Sequence, residues 1–455
     1  MRTDRAQPGL RRELGLWSAV AIVVGTVIGS GIFLVPSAMI RQVGSPPSLF
    51  AVWIFGGVLS LFGALSYAEL SAAMPEAGGE YVYLREAYGP LWGFLYGWTQ
   101  MWVAKSGSIA TLATAFFYYL ANFRPELDRI LYVLRLPVGP KGGPLEIRSG
   151  QLLAMGVIVA LAAVNYLGVK VGGDVQVAVT ILKVGLIAAI IVVGLGTGHG
   201  GGANYTRAIP AAGGVAGFFA ALVGALWAYD GWNNVSMVSS EIRNPQRGLP
   251  RALIFGTSAV IAIYLLANLA YFHVLPASAV ASTPRVAAEM MRRIYGGAGA
   301  SAVSIAAMIS IFAALNGSIL SGSRVPYAMA RGGLFFRSFR MVHPVHRTPG
   351  VSILGLSAWA ALLVLSGRFE ELYTYVIFAS WIMYGMTAAA VLVLRRKRPE
   401  LLRPYKVIGY PLVPVLFVLG AAAVLGFTLR QYPRESLLGL GIILAGLPFY
   451  FHWRR

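Results

Sequence analysis

The 455-residue sequence contains no cysteine. That absence excludes disulfides, thiolate metal sites and cysteine nucleophiles. Charge is scarce too: Asp, Glu, Lys and Arg make up 12% of the chain, about half of what a soluble protein carries. Such a chain cannot cover a globule of this size with wetted surface, so a soluble enzyme, a secreted disulfide scaffold and a disordered tail are excluded. Histidine is rare and scattered, at His199, His273, His343, His346 and His452. Only His343 and His346 come close, with Pro344 between them, and they read as solvated loop residues, so no metal site or cofactor is expected. No cleaved leader is expected either. The basic stretch Met1–Glu13 is followed by an apolar run too long for a signal h-region and without a small-residue cleavage site.

What is present is apolar and arranged in blocks. Hydrophobic residues make up 57%, and runs such as Leu152–Tyr166, Ile181–Gly194 and Leu253–Tyr271 are almost free of charge. These approach the ~20 residues that cross a bilayer as helix, and they lack the short alternating segments of a barrel. The pattern predicts an all-α membrane protein with twelve spans, near 14–40, 48–73, 90–122, 149–168, 174–197, 212–241, 250–275, 299–330, 349–366, 370–394, 408–428 and 434–452. Two connections are long, Phe123–Arg148 and Leu275–Ala298. The second holds an amphipathic piece, Arg285–Tyr295, suited to a membrane face or to the pore mouth. Cytoplasmic loops retain Lys and Arg. Placing both termini inside collects most of these residues on that side, with Arg395, Arg396, Lys397, Arg398, Arg403 and Lys406 as the strongest cluster. The net charge of +20 then suits an anionic inner leaflet. The charges are split among many loops, which gives no support to nucleic-acid binding.

Two spans are interrupted. In span one, Gly25-Thr26-Val27-Ile28-Gly29-Ser30-Gly31-Ile32-Phe33 sets three Gly and a Ser near mid-membrane. Alone this could be close helix packing through Gly25-xxx-Gly29. A broken helix would instead leave amides facing a cavity and point the start of the next half-helix at an anion. Span six favours the break. Trp227-Ala228-Tyr229-Asp230-Gly231-Trp232-Asn233-Asn234 puts a carboxylate and Gly inside an apolar segment, where a charge needs water, a partner or a substrate. Two interrupted spans at matching places in two groups of five are the sequence sign of an inverted-repeat secondary transporter, with its site between them. The chain then divides into a tail (1–13), a first repeat (14–200), a second repeat (201–394) and two further spans with a short cytoplasmic end (395–455). Lys183, near the middle of span five, reads as a fixed or titrating cation beside the first break, or as a lysine that satisfies loose carbonyls; both can hold. Lys105 in span three either lines the cavity or caps a turn at a kink near Gly107. Trp227 is a lid over the break or a packed helix-end ring.

These motifs resemble the amino acid–polyamine–organocation superfamily and, within it, the L-type amino acid transporters. The resemblance covers nearly the whole chain. It is carried by Gly25–Phe33, Pro75–Gly89, Trp227–Pro250, Lys183, Asn316-Gly317-Ser318 and the Arg398–Lys406 segment. It implies a leucine-transporter-like fold, a 5+5 inverted repeat plus two helices, and amino-acid substrates. It assigns the substrate carboxylate to Gly29, Ser30 and Gly31, and the α-amino group to carbonyls of Val27, Trp227 and Asp230. Ile28 and Gly231 lie within the same two breaks and count with the substrate-binding residues. Trp227 becomes an aromatic gate, and Asn233 and Asn234 lie near the pocket. Lys183 bridges helices one and five where sodium-coupled relatives hold an ion. Lys105 matches a basic position of the third helix, and Lys105 and Asn316 are candidates for the cavity wall. Light subunits of heteromeric transporters use a Cys to hold a heavy subunit. This chain has none, so no disulfide-linked partner is expected.

The expectation is a multi-pass transporter of the cytoplasmic membrane that exchanges neutral L-amino acids without sodium by alternating access. A proton-coupled amino-acid or polyamine symporter on the same fold is the alternative, and a non-transporting amino-acid sensor the distant one. An intramembrane enzyme lacks any Ser/His, paired-Asp or metal-binding set across the spans.

Overall fold

The computed structural model describes residues 10–121, 123–135, 144–211, 213–366 and 369–454; most of the 1–13 tail lies outside the described residues. The chain opens with α1 (Leu16–Val27), α2 (Gly31–Val43), α3 (Pro46–Ala73) and the short α4 (Glu80–Tyr88). It continues through α5 (Pro90–Thr99) and α6 (Lys105–Leu120), joined by one π-helical turn at Gln100–Ala104. Strands β1 (Ile130–Leu134) and β2 (Leu145–Arg148) precede α7 (Ser149–Tyr166) and α8 (Val169–Gly196). Then come α9 (Gly214–Tyr229), α10 (Asn234–Met237), α11 (Pro245–Val274) and α12 (Ala277–Ser282). Next are α13 (Val286–Gly322), α14 (Arg324–Arg331), α15 (Gly350–Val364) and α16 (Phe369–Lys397). The chain closes with α17 (Leu412–Gln431), α18 (Pro433–Leu444) and α19 (Gly446–Arg454).

Among the described residues, nine helical segments are long and apolar enough to cross a bilayer, and α9 and α15 are shorter apolar helices. Local chemistry sets several boundaries. Ser45 caps α3 by accepting from the Ser48 amide, and Pro46 follows at its first position, where a missing N–H costs nothing. Asn244 turns left-handed (φ 49°) ahead of Pro245, which starts α11. Burial sorts the helices. The most apolar window across α1 and α2 is 83% buried, whereas those of α8 and α17 are 28% buried. The broken pair is therefore the centre of the bundle. The outer helices turn Ile181, Leu182, Val192, Leu412 and Leu419 outward, a surface that suits lipid and not water.

Three features differ from the sequence-level expectation. In the long connection after span three, β1 and β2 pair antiparallel, with Val133 opposite Glu146 and Leu134 opposite Leu145, so among the described residues the regular structure is helical apart from this small ribbon and one isolated bridge. The irregularity expected near Gly107 in the third span is a π turn at Gln100–Ala104, just ahead of Lys105. An extra residue per turn there rotates everything beyond it. His343 and His346 are half-buried rather than solvated, with ring centroids 4.6 Å apart and Tyr166 against both. The amphipathic piece is helical up to Tyr295, where Gly296 (φ 65°) breaks α13. Just ahead of it, the Ala281 carbonyl accepts from Arg41 of α2 at 2.8 Å, which lays this segment over the end of α2.

Candidate functional site between two broken helices

Between α1 and α2 the chain leaves helical geometry at Ile28 (ψ 87°), and the Gly29 amide turns back to the Val27 carbonyl at 2.8 Å. The first amides of α2, at Gly31 and Ile32, have no preceding turn to serve. Ser30 Oγ is buried without a hydrogen-bond partner. Between α9 and α10 the chain breaks at Asp230 (ψ 145°) and Gly231 (φ 109°), a conformation that favours glycine. The two breaks touch. A Cβ on Gly31 would stand 2.5 Å from the Cα of Ala228, so only hydrogen fits. Thr26 Oγ1 donates to the Gly231 carbonyl at 2.9 Å. The Tyr264 hydroxyl of α11 lies 2.9 Å from the carbonyls of both Val27 and Ala228. One proton serves one of them at a time, so the other keeps spare acceptor capacity.

A narrow cavity opens at this junction, lined by Thr26, Val27, Gly29, Ser30, Gly31, Ser108, Leu112, Trp227 and Asp230. The lining includes the start of α2 with the Ser30 hydroxyl, which suit a carboxylate. It also includes backbone of Val27, Trp227 and Asp230, whose carbonyls suit an ammonium. Together these groups complement a zwitterion. Ile28, Gly231, Asn233, Asn234, Lys105, Lys183 and Asn316 stand outside this lining. Thr26, Ser108, Leu112 and Tyr264 belong to the junction and were not visible as site residues in the sequence, because nothing local marks a Ser, a Leu or a Tyr inside an apolar helix.

Lys183 is fully buried. Its ammonium donates to the carbonyls of Gly25 at 2.6 Å and Ile28 at 2.5 Å. These carbonyls are exposed by the break, and Ser310 Oγ of α13 adds a 3.0 Å bond to Ile28. Gln176 and Thr180, earlier on the same face of α8, both reach the Ala21 carbonyl at 3.3 Å. Asn316 joins this stripe from α13. It donates to Gln176 Oε1 and accepts from Asn165, both at 2.9 Å, so it braces α8 behind the cavity.

A second polar group lies behind the other break. Lys105, at the end of the π turn, donates to Asn234 Oδ1 at 2.5 Å; it neither caps a turn nor reaches the cavity wall. Asn233 donates a short hydrogen bond to Glu80 at the start of α4, and Tyr96 adds another at 2.9 Å. Burial pushes the Glu80 carboxyl above the ordinary carboxylate range, with these hydrogen bonds pulling the other way. Asp230 Oδ1 accepts from Tyr384 of α16 at 2.8 Å. Below, Glu241 and Arg324 form a fully buried ion pair at 2.7 Å, and a parallel bridge joins Leu14 to Ile242. The α1 entry is thereby tied to the end of the second break. Among the described residues no cluster of three or more His, Asp or Glu could hold a metal.

Residues 14–438 match the profile of a family described as amino acid permease. The chain is 35% identical over 452 residues to the serine/threonine exchanger SteT of Bacillus subtilis (strain 168), covering 98% of each chain. It is 34% identical to human b(0,+)-type amino acid transporter 1, covering 97% of this chain and 88% of that one. It is 30% identical to the human cystine/glutamate transporter, covering 97% and 85%. The match spans both broken segments and nearly every helix around them: the chain belongs to the amino acid permease family of the amino acid–polyamine–organocation superfamily, and is a multi-pass membrane transporter of amino acids, not an enzyme.

Proposed function

We propose that the protein exchanges small neutral L-amino acids across the cytoplasmic membrane, without sodium and without a disulfide-linked partner subunit. The observation that carries this reading is Lys183. A fixed ammonium holds the Gly25 and Ile28 carbonyls, the kind of oxygen cluster that otherwise takes a metal cation. The cavity at the junction, lined by the start of α2 and by backbone of both breaks, supports a zwitterionic substrate. The substrate carboxylate sits on Gly29, Ser30 and Gly31, its ammonium on carbonyls of Val27, Trp227 and Asp230, and Trp227 acts as the gate. The two breaks support a 5+5 inverted repeat, α1–α8 against α9–α16, with α5–α6 and α18–α19 each counted as one span to reach twelve. Both termini are cytoplasmic, and alternating access follows as the broken helices rock against the rest.

The test is purified protein in liposomes loaded with one unlabelled amino acid, with a labelled panel outside. Uptake should require an internal neutral amino acid and stay unchanged when choline replaces sodium. Uptake into empty liposomes driven by an imposed proton gradient would replace this reading with the symporter.

A further inference from the structure

A second cavity, of about 380 Å³, opens on the side of the bundle that holds the start of the chain: Leu10 lines it, together with Glu76, Arg85, Ser240, Tyr327 and Arg331. That volume lies within the range of about 300–1,000 Å³ that small-molecule sites occupy. Contacts with the end of the second break fix its place. The Gly78 amide, between Glu76 and α4, donates to the Met237 carbonyl at the end of α10 at 2.9 Å. Ser240 directly precedes Glu241, and Tyr327 lies one helical turn past Arg324. The cavity therefore abuts the buried Glu241–Arg324 pair from the side of both partners.

The charges of this cavity are held unequally. Arg85 is taken up by Glu86 at 2.9 Å and by Glu76 at 3.6 Å. Arg331, exposed at the last residue of α14, is in no ion pair among the described residues. Glu76 has only the loose contact to Arg85, and its side chain is 62% exposed. Ser240 Oγ is buried with no hydrogen-bond partner in the protein. An open cation, an open carboxylate and a spare hydroxyl around one cavity complement a free amino acid. Its carboxylate and ammonium are the charges that every neutral substrate shares.

We propose that this cavity is a second substrate site, where an amino acid docks on its way between the cytoplasm and the junction, with the Glu241–Arg324 pair standing between the two. Arg331 and the Ser240 hydroxyl take the carboxylate, and Glu76 takes the ammonium. The proposal rests on the proposed function, which places this face in the cytoplasm and brings the counter-substrate in from it. A neutral amino acid has no net charge to be drawn by a wall of one sign, so a site that holds it needs both signs, as this one has.

The test measures KM for labelled L-serine at each face separately, in right-side-out and inside-out membrane vesicles that carry the full-length protein and are loaded with unlabelled L-serine. Arg331→Gln removes the cation and keeps an amide donor. Its KM should rise about tenfold or more at the cytoplasmic face, the loss expected of a hydrogen bond to a charged group, and stay unchanged at the outer face. Glu76→Gln should act in the same direction. Ser240→Ala breaks no hydrogen bond within the protein and should also raise the cytoplasmic KM, so it reads the same site if the charge variants do not fold. A merely structural role would lower the melting temperature or change both faces alike. An unchanged cytoplasmic KM in Arg331→Gln or in Ser240→Ala, or equal rises at both faces, overturns the proposal. The proposed function fails on a different result, the absence of exchange of any neutral amino acid by the wild type.

Discussion

Replacing Lys183 with Ala isolates the bridge between α8 and the first break. In an unbroken helix the Gly25 carbonyl would accept from the Gly29 amide, but that amide turns to Val27. The ammonium at 2.6 Å is therefore its replacement partner. Ile28 has a second donor in Ser310 at 3.0 Å, so its carbonyl stays satisfied in the variant. A hydrogen bond to a charged group contributes about 1.5–3 kcal/mol. Since only the Gly25 carbonyl is left without a donor, the tie between α8 and α1 weakens by about 2–3 kcal/mol. At 1.4 kcal/mol per factor of ten, the balance between tied and untied states moves roughly 30- to 150-fold. Exchange in liposomes should fall by a comparable factor if, as the proposed alternating access requires, each turnover forms and breaks this tie. Equilibrium binding of a neutral amino acid, followed by thermal shift, should change far less, since the proposed carboxylate cradle belongs to the start of α2. Normal exchange by Lys183→Ala, or wild-type uptake that requires sodium, would refute the built-in-cation argument.

Ser30→Ala removes a buried hydroxyl that has no protein partner; if it serves the substrate carboxylate, affinity should fall about tenfold or more, amino-acid amides should compete poorly with the wild type, and unaltered competition curves would reject the assignment. Gly31 is unsuitable for the same test, because even Ala would drive its Cβ into the Ala228 backbone and part the two breaks. Trp227→Phe should retain most exchange and Trp227→Ala lose it; a fall in melting temperature with unchanged kinetics would mark the ring as packing alone. Glu80, raised above its ordinary 4.5 by burial, holds its proton to higher pH in the folded protein than in the unfolded chain. Its contribution is therefore present at acid pH and is lost as pH rises through the folded value. The melting temperature of the wild type in detergent should decline more over that range than that of Glu80→Gln, and parallel profiles would argue against it.

The membrane class, most of the long apolar helices, the two breaks and the buried Lys183 were legible in the sequence. Each is a local property: an apolar run as long as a bilayer, a glycine–serine cluster inside it, a charge with no interface in reach. Tertiary structure decided which groups those features meet. Lys183 finds carbonyls more than 150 residues away, and Lys105 reaches Asn234 rather than the cavity because a π turn re-aims the helix it starts. Tyr264 joins the two breaks, Ser108 and Leu112 form the cavity wall from the third span, and a strand pair occupies a loop that carried no helical pattern. Hydropathy reports only how each segment partitions between water and lipid. Helices that are apolar all round give no local sign of which face turns inward, so the partners of their few polar side chains are set by how the bundle packs.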